Sequence, residues 1–485
     1  MKSLNITTLG PITYLSRKTY PVKVLQFGSG NFLRAFADWM IQKANDQLGL
    51  NIGVAVVQSV SRDDTLQRQH GKYTVLIRGL VENKTISNAE PVDVIQRIVS
   101  ARNYNTLLKE AENPDLEIIL SNTTETGIVF NANDSSVNQP AETFPGRLTQ
   151  VLFHRSKNYP NEKLGIIPCE LIENNGGVLK SCIRQYASHW QLGEEFDDYI
   201  NQQLYFCNTL VDRISPGYPE KPEQVWEELG YRDEAMVVCE PYHLWAIEAH
   251  PWVQEKFPLN KAGLQVIYTD NIVPYRLLKV RILNGMHTVM APIGFLAGLS
   301  TVRETMTTSI IASFIHQTLD FEVLPFINLD SATVQAYKDD VLNRFLNPAI
   351  KHQLLDITLY SFSKFRVRLL PSLQLYYQKN ERAPQHLAFA IAALLFLYRG
   401  YKAGKKIALK DEPAVLDCLQ NHWANASFAA TGFTELTKKC LAEKILWGCD
   451  LNTFYQLQEY VSRYLYAIDQ HGIILALQEF NEEFR

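Results

Sequence analysis

The stretch KVRILNGMHT, Lys279 to Thr288, sets a lysine, an asparagine and a histidine among apolar residues. On a helix advancing ~100° per residue, Asn284 stands roughly 140° and His287 roughly 80° round from Lys279, so one arc carries all three. Val280 and Leu283 share that arc, which marks it as at least partly buried. Buried polar groups cost free energy until something hydrogen-bonds to them. A lysine near its ordinary pKa is a poor base at neutral pH, but partial burial beside apolar neighbours lowers it toward the range where protons pass in both directions.

A second stretch with chemical content is GSGNFLRAF, directly after the apolar run VKVLQF at 22–27. Gly28 and Gly30 stand in the register of a dinucleotide-binding turn, where glycine permits the tight bend and lets the backbone approach a pyrophosphate at a helix N-terminus. Leu33 replaces the third glycine of that fingerprint. The competing reading of the motif alone is a plain strand-to-helix turn. After the second strand an acid would hold the adenosine ribose of NAD, yet the chain reads QSVSRDD, with Gln58 and Ser59 at the expected place. Arg62 could meet the 2′-phosphate of NADP instead, and Asp63 or Asp64 could still hold a ribose, so both cofactors stay open on these residues.

The elements that must position these groups divide the chain in two. Before residue 275, short β-rich runs (VAVVQSV at 54–60, EIILSN at 117–122, LGIIP at 164–168, MVVCE at 236–240, LQVIYT at 264–269) alternate with helical stretches. That alternation indicates an α/β domain with a largely parallel sheet, and YTVLIRGL at 73–80 adds a hairpin. Beyond it, stretches such as HLAFAIAALLFLYRG carry apolar residues at helical period. The expected architecture is a Rossmann-like α/β dinucleotide-binding domain over 1–277 and a mostly α-helical substrate and catalytic domain over 278–485. The lysine segment then falls at the junction, and ligand sites favour clefts between domains.

Composition narrows the partners. Lys+Arg 47 against Asp+Glu 51 gives a formal charge of -4, with no general attraction for nucleic acid or an anionic membrane. The longest apolar run, residues 387–398, is 12 residues, well short of the ~18 needed to span a bilayer. These features predict a soluble, cytoplasmic protein, monomeric or a small homo-oligomer, acting on a small molecule. The seven cysteines are scattered without a C-x-x-C pair, so neither a disulfide framework nor a zinc site is expected, and Cys169 and Cys239 read as small buried hydrophobes.

With GSGNFLRAF at one end and the K-x4-N-x2-H spacing at the junction, the chain resembles the mannitol dehydrogenase family of long-chain polyol dehydrogenases. SNTTETGI at 121–128, PCELIENNGG at 168–177, VDRISP at 211–216, EPYHLWAIE at 240–248 and SFSKF at 361–365 extend the resemblance over nearly the whole chain. It implies a metal-independent enzyme in which Lys279 is the general acid/base, Asn284 donates to the developing alkoxide and His287 orients the reacting hydroxyl. By the same resemblance Phe27, Gly28, Gly30, Asn31, Phe32 and Arg34 hold NAD with Asn122, Thr123 and Glu125.

From PCELIENNGG the resemblance carries over Asn175 as a second catalytic asparagine and Glu170 as a substrate contact, against the plain turn that asparagine before glycine often makes. Mannitol dehydrogenases place an arginine eight residues before a lysine in the substrate pocket; here Lys364 is kept and Asp356 stands where the arginine would fall. A polyol has no carboxylate whereas a uronate or aldonate does, so Lys364 could pair with an anionic head group. Arg366 and Arg368, on what reads as a strand or irregular segment, and His243 are further candidates.

Overall fold

Six apolar runs build the main sheet of the first unit: β1 (Val22–Phe27), β2 (Gly53–Gln58), β3 (Ile95–Ser100), β4 (Ile118–Ser121), β5 (Leu164–Pro168) and β6 (Leu204–Phe206). The computed structural model describes residues 9–58, 64–81, 84–123, 127–402 and 404–483. The strands lie in the order β3-β2-β1-β4-β5-β6 and every neighbouring pair is parallel. Helices cover both faces, which is why β1, β2, β4 and β5 are almost wholly buried and read as continuous hydrophobic runs. The chain builds outward from β1 to β3, then returns to lay β4 on the other side of β1. That reversal makes a topological switch point at the C-terminal ends of β1 and β4, the place where such sheets bind ligands.

Two expected members of this sheet lie elsewhere. Val237–Cys239 pairs in parallel with Tyr73–Val81, whose hairpin partner is Lys84–Val92. Val266–Thr269 pairs with Leu244–Glu248, which also takes Asn208–Asp212 as an antiparallel neighbour. An apolar run identifies a strand, but its neighbours are set by connections far away in sequence.

The second unit, Val273–Arg485, is helical, and it begins before the expected 277/278 boundary. The reason is local. Val273–Leu278 runs without a break into Lys279–Asn284 and then into α2 (Gly285–Leu296), so the lysine segment is the middle of one helix. At the heart of this unit lies α5 (Gln385–Leu397), buried on nearly every side and packed against α2 and α9 (Leu457–His471). An apolar surface all round marks a central helix. Among the described residues no helix is long and apolar enough to cross a membrane.

Candidate active site

The glycine turn closes β1. Gly28 has φ +121°, and a Cβ there would stand 3.2 Å from the Asn122 carbonyl at the end of β4, so the bend needs glycine. At Gly30, by contrast, an added Cβ would meet nothing within 4 Å. That open space lies where the helix Asn31–Leu33 begins, whose first N–H groups have no intrahelical partner. A glycine facing open space beside unsatisfied donors fits a pyrophosphate. Gln58, at the end of β2, donates to Ser29 Oγ at 3.3 Å. Asp64 pairs with Arg68 at 2.8 Å on the surface, while Ser59, Arg62, Asp63 and Glu125 lie outside the described residues.

The remaining turn residues mostly hold the turn itself. Arg34 is buried, with its guanidinium donating to Ser29 O at 3.1 Å, to Asn31 Oδ1 at 2.8 Å and to Ala235 O. It therefore shapes the loop through which Asn31 enters the helix. Phe27 packs on Phe144 with ring centroids 5.1 Å apart, and Phe32 stacks on Phe36 at 4.9 Å. Asn122 donates through Nδ2 to Cys169 O at 2.7 Å, fixing the end of β4 to that of β5.

Three expected contacts with substrate turn out to be engaged inside this unit. Asn175 opens α1 (Asn175–His189) at 1% exposure. Its Nδ2 donates toward Pro168 O and Glu170 O, both at 3.1 Å, and toward Thr209, while Oδ1 accepts from Thr209 N at 2.9 Å and Gly176 N at 3.0 Å. The expected catalytic amide thus has all of its hydrogen-bonding capacity used within this loop. Glu170 accepts from Ser121 Oγ, Thr123 N and Thr123 Oγ1 at 2.9–3.0 Å; burial raises its pKa, a rise those donors offset only in part. His243 donates through Nδ1 to Pro241 O at 3.1 Å and accepts at Nε2 from Gln265 N at 3.2 Å. Burial pushes its pKa down to about 4, which keeps the ring neutral at neutral pH.

The lysine segment differs from the expected α-helix in a useful way. Lys279–Asn284 is a π-helical stretch between two α-helical ones. Its i→i+5 repeat sets Asn284 one turn above Lys279 instead of far round the cylinder, and single π turns recur at functional sites. The five-residue K-x4-N spacing was the signal for this, since it matches neither i,i+3 nor i,i+4 neighbours on an α-helix. Among the described residues the Asn284 side-chain amide has no hydrogen-bond partner; its backbone carbonyl accepts from Thr288 Oγ1 at 3.0 Å and from Arg368 at 3.3 Å.

His287, three residues on, is 7% exposed, and its Nε2 is buried without a protein partner. Its ring lies edge-on to His352 at 4.6 Å and against Phe345 at 4.8 Å. Burial holds it neutral, and the charges of Arg368, Arg344 and Lys364, with His352, push its pKa further down. Those cations come from two helices. Arg344 ends α3 (Ser331–Phe345) and is buried; Lys364 and Arg368 are one turn apart on α4 (Ser361–Arg368).

That α4 is a helix corrects the strand reading. Phe362, Phe365 and Leu369 form its buried face, and the i,i+4 spacing puts Lys364 beside Arg368 while Arg366 turns toward Gly448. Lys364 Nζ donates to Ile357 O at 3.0 Å, and Arg368 donates to Thr288 Oγ1 at 3.1 Å. Burial lowers the Arg368 pKa to about 10, which leaves it charged. Asp356 is exposed on the short helix Leu354–Ile357. Arg344 and His352 were missed from sequence, since nothing in their local pattern points toward His287.

Comparison with known proteins gives the family and the fold. The family model of the mannitol dehydrogenase Rossmann domain matches residues 22–261, and that of the mannitol dehydrogenase C-terminal domain matches residues 271–469. The chain is 38% identical to an altronate oxidoreductase of Bacillus subtilis over 95% of each chain, and 39% identical to one of Shigella flexneri over 94% of this chain and 96% of that one. Among solved structures, a D-sorbitol dehydrogenase superposes with TM-score 0.79 at 20% identity, covering 98% of this chain and 96% of that one. A Pseudomonas fluorescens mannitol 2-dehydrogenase, solved with NAD and D-mannitol, superposes with TM-score 0.69 at 21% identity over 99% and 96%. Both share the fold. With the two domain models together spanning most of its length, the chain belongs to the mannitol dehydrogenase family of oxidoreductases.

Proposed function

We propose that the chain is an NAD-dependent oxidoreductase interconverting D-tagaturonate and D-altronate in hexuronate catabolism, with Lys279 as general acid/base. The observation that carries the choice of an acidic sugar is the surround of His287, where Arg344, Lys364 and Arg368 all act on one neutral, buried imidazole. A uronate brings a carboxylate that takes charge-assisted hydrogen bonds from guanidinium and ammonium groups, which a polyol does not. The altronate oxidoreductases at 38–39% identity support the same reading.

Gly28, Gly30 and Asn31 shape the turn that receives the pyrophosphate. NADH held at that turn would supply hydride to the ketone carbon of tagaturonate. Lys279 delivers a proton to the ketone oxygen as charge builds there, and the unengaged Asn284 amide donates a hydrogen bond to the same oxygen. His287 Nε2, buried and unpartnered, meets the reacting hydroxyl and orients it. In the direction of altronate oxidation Lys279 takes the proton back.

The test follows NADH and NADPH absorbance against tagaturonate, fructuronate and fructose. Fastest turnover of tagaturonate with NADH is expected. Preference for fructuronate would make the enzyme a mannonate oxidoreductase, and preference for fructose a mannitol-type polyol dehydrogenase. Tight NADH binding with no turnover of any of the three would leave a dinucleotide-sensing protein.

A further inference from the structure

We propose that Cys418, His422 and Glu443 form a binding site for a borderline-soft divalent cation, Zn2+ foremost, that staples two segments of the helical unit together. The site lies apart from the lysine segment. Cys418 and His422 are one turn apart on α6 (Pro413–Ala424), and Glu443 is the single residue between α7 (Ala430–Ala442) and α8 (Lys444–Trp447). The thiol sulfur, an imidazole nitrogen and a carboxylate oxygen all lie within 4.8 Å of one another, and His422 Nε2 is 2.8 Å from Glu443 Oε1. One sulfur, one nitrogen and one oxygen donor are the ligand types zinc takes, and three protein ligands leave a tetrahedral position for water. All three residues are half-buried, so an ion has a way in.

Sequence reading missed the site because the chain has no C-x-x-C pair. The signal was C-x3-H inside a helix, which places two ligands on one face. Burial, with Glu443 alongside, raises the Cys418 thiol to about 11.

The staple would bear on α4. The Glu443 carbonyl accepts from Leu446 N at 3.0 Å and Trp447 N at 3.2 Å, and the Trp447 indole donates to Cys440 O at 2.9 Å. Trp447 in turn packs on Phe362 at 5.0 Å and Phe365 at 5.5 Å, the buried face of the helix that carries Lys364 and Arg368. A cation on Glu443 thus stiffens the seat of Trp447.

The experiment uses full-length protein stripped with chelator and titrated with Co2+, then Zn2+. A thiolate-to-cobalt charge-transfer band is expected at one equivalent, with Zn2+ displacing it. The band should vanish in Cys418→Ser and persist in Cys449→Ser, which removes the other half-buried thiol. Zn2+ at about a hundredfold excess over its Kd should raise the Tm of the native protein by several degrees and leave that of His422→Ala unmoved. Absence of a band in the folded native protein, or an equal band in Cys418→Ser, would overturn the site.

Discussion

Asn175 and Asn284 each precede a glycine, yet the two are in opposite situations. Asn175 lies in the α/β unit with its amide fully engaged by Pro168, Glu170, Thr209 and Gly176. Asn284 lies in the helical unit with an amide that no described residue meets, three positions before a histidine whose buried Nε2 is equally unpartnered. Folding normally satisfies buried polar groups, because an orphaned one costs about 1–3 kcal/mol. Asn175 meets that demand inside its own loop, whereas the half-buried Asn284 amide and the buried His287 Nε2 leave donor and acceptor capacity for a ligand to take up.

The largest expected effect tests the chemical side. Lys279→Ala should lower turnover by about a hundredfold or more, the usual scale for lost general acid/base help, while NADH affinity measured by calorimetry stays within about twofold. Added primary amines should restore part of the rate. Near-native turnover in the folded variant would make Lys279 a structural residue and dissolve the contrast.

Next comes the asparagine pair itself. Asn175→Ala should cost about 2 kcal/mol of stability, since it strands the Thr209 N–H and two buried carbonyls, with little change in kcat for the protein that remains folded. Asn284→Ala should do the reverse, lowering kcat tenfold or more, at about the scale of a lost oxyanion donor, with Tm nearly unchanged. A kcat loss at Asn175 without a fall in Tm would return it to the catalytic set.

How far this contrast was legible beforehand depended on the kind of information required. VKVLQF and LGIIP coincide with β1 and β5, because a strand covered on both faces writes itself as an unbroken apolar run. The edge strand β3, IQRIVS, went unseen: it is half exposed, and its polar residues break the run. In SFSKFRVR, Phe362 and Phe365 already had helical spacing, but interleaved polar residues imitated a strand. Lys279, Asn284 and His287 could be picked out by type and spacing, while the widened turn spanning the first two was hidden by reading their five-residue spacing on an ordinary helical repeat. Whether an asparagine is satisfied is beyond local reading, since the partner of Asn175 is Thr209, 34 positions away.

The third test sharpens the reading of the basic surround. Lys364→Met should raise KM for tagaturonate by about tenfold, the low end of what a charge-assisted bond contributes, and change activity on fructose much less. Arg368→Met should behave alike but add a fall in Tm, because its guanidinium also holds Asn284 O and Thr288 Oγ1. Equal losses on the acidic and the neutral substrate would remove the carboxylate from the argument.

The smallest effect uses the two histidines, His243 and His287, as a second copy of the asparagine comparison. Burial depresses both pKa values, His243 to about 4 from an ordinary value near 6.5, yet only His243 has both ring nitrogens engaged. For a histidine with a lowered folded-state pKa, the unfolded chain takes up the proton first as pH falls. Its contribution to stability is therefore complete above the unfolded value and drains away as pH drops toward the folded one. Between about pH 6.5 and 5.5 that loss is at most about 1 kcal/mol for a half-buried ring, given about 1.4 kcal/mol per unit of pKa shift. His243→Gln should make the urea midpoint less sensitive to acid over that interval and leave kcat/KM at neutral pH unchanged. His287→Gln should lower kcat/KM at neutral pH, because its free nitrogen is the one assigned to substrate. Identical acid slopes for His243→Gln and the native protein would mean that His243 titrates as freely in the fold as out of it. The satisfied histidine would then be no scaffold at all, and an unengaged nitrogen would cease to be a reliable mark of the site.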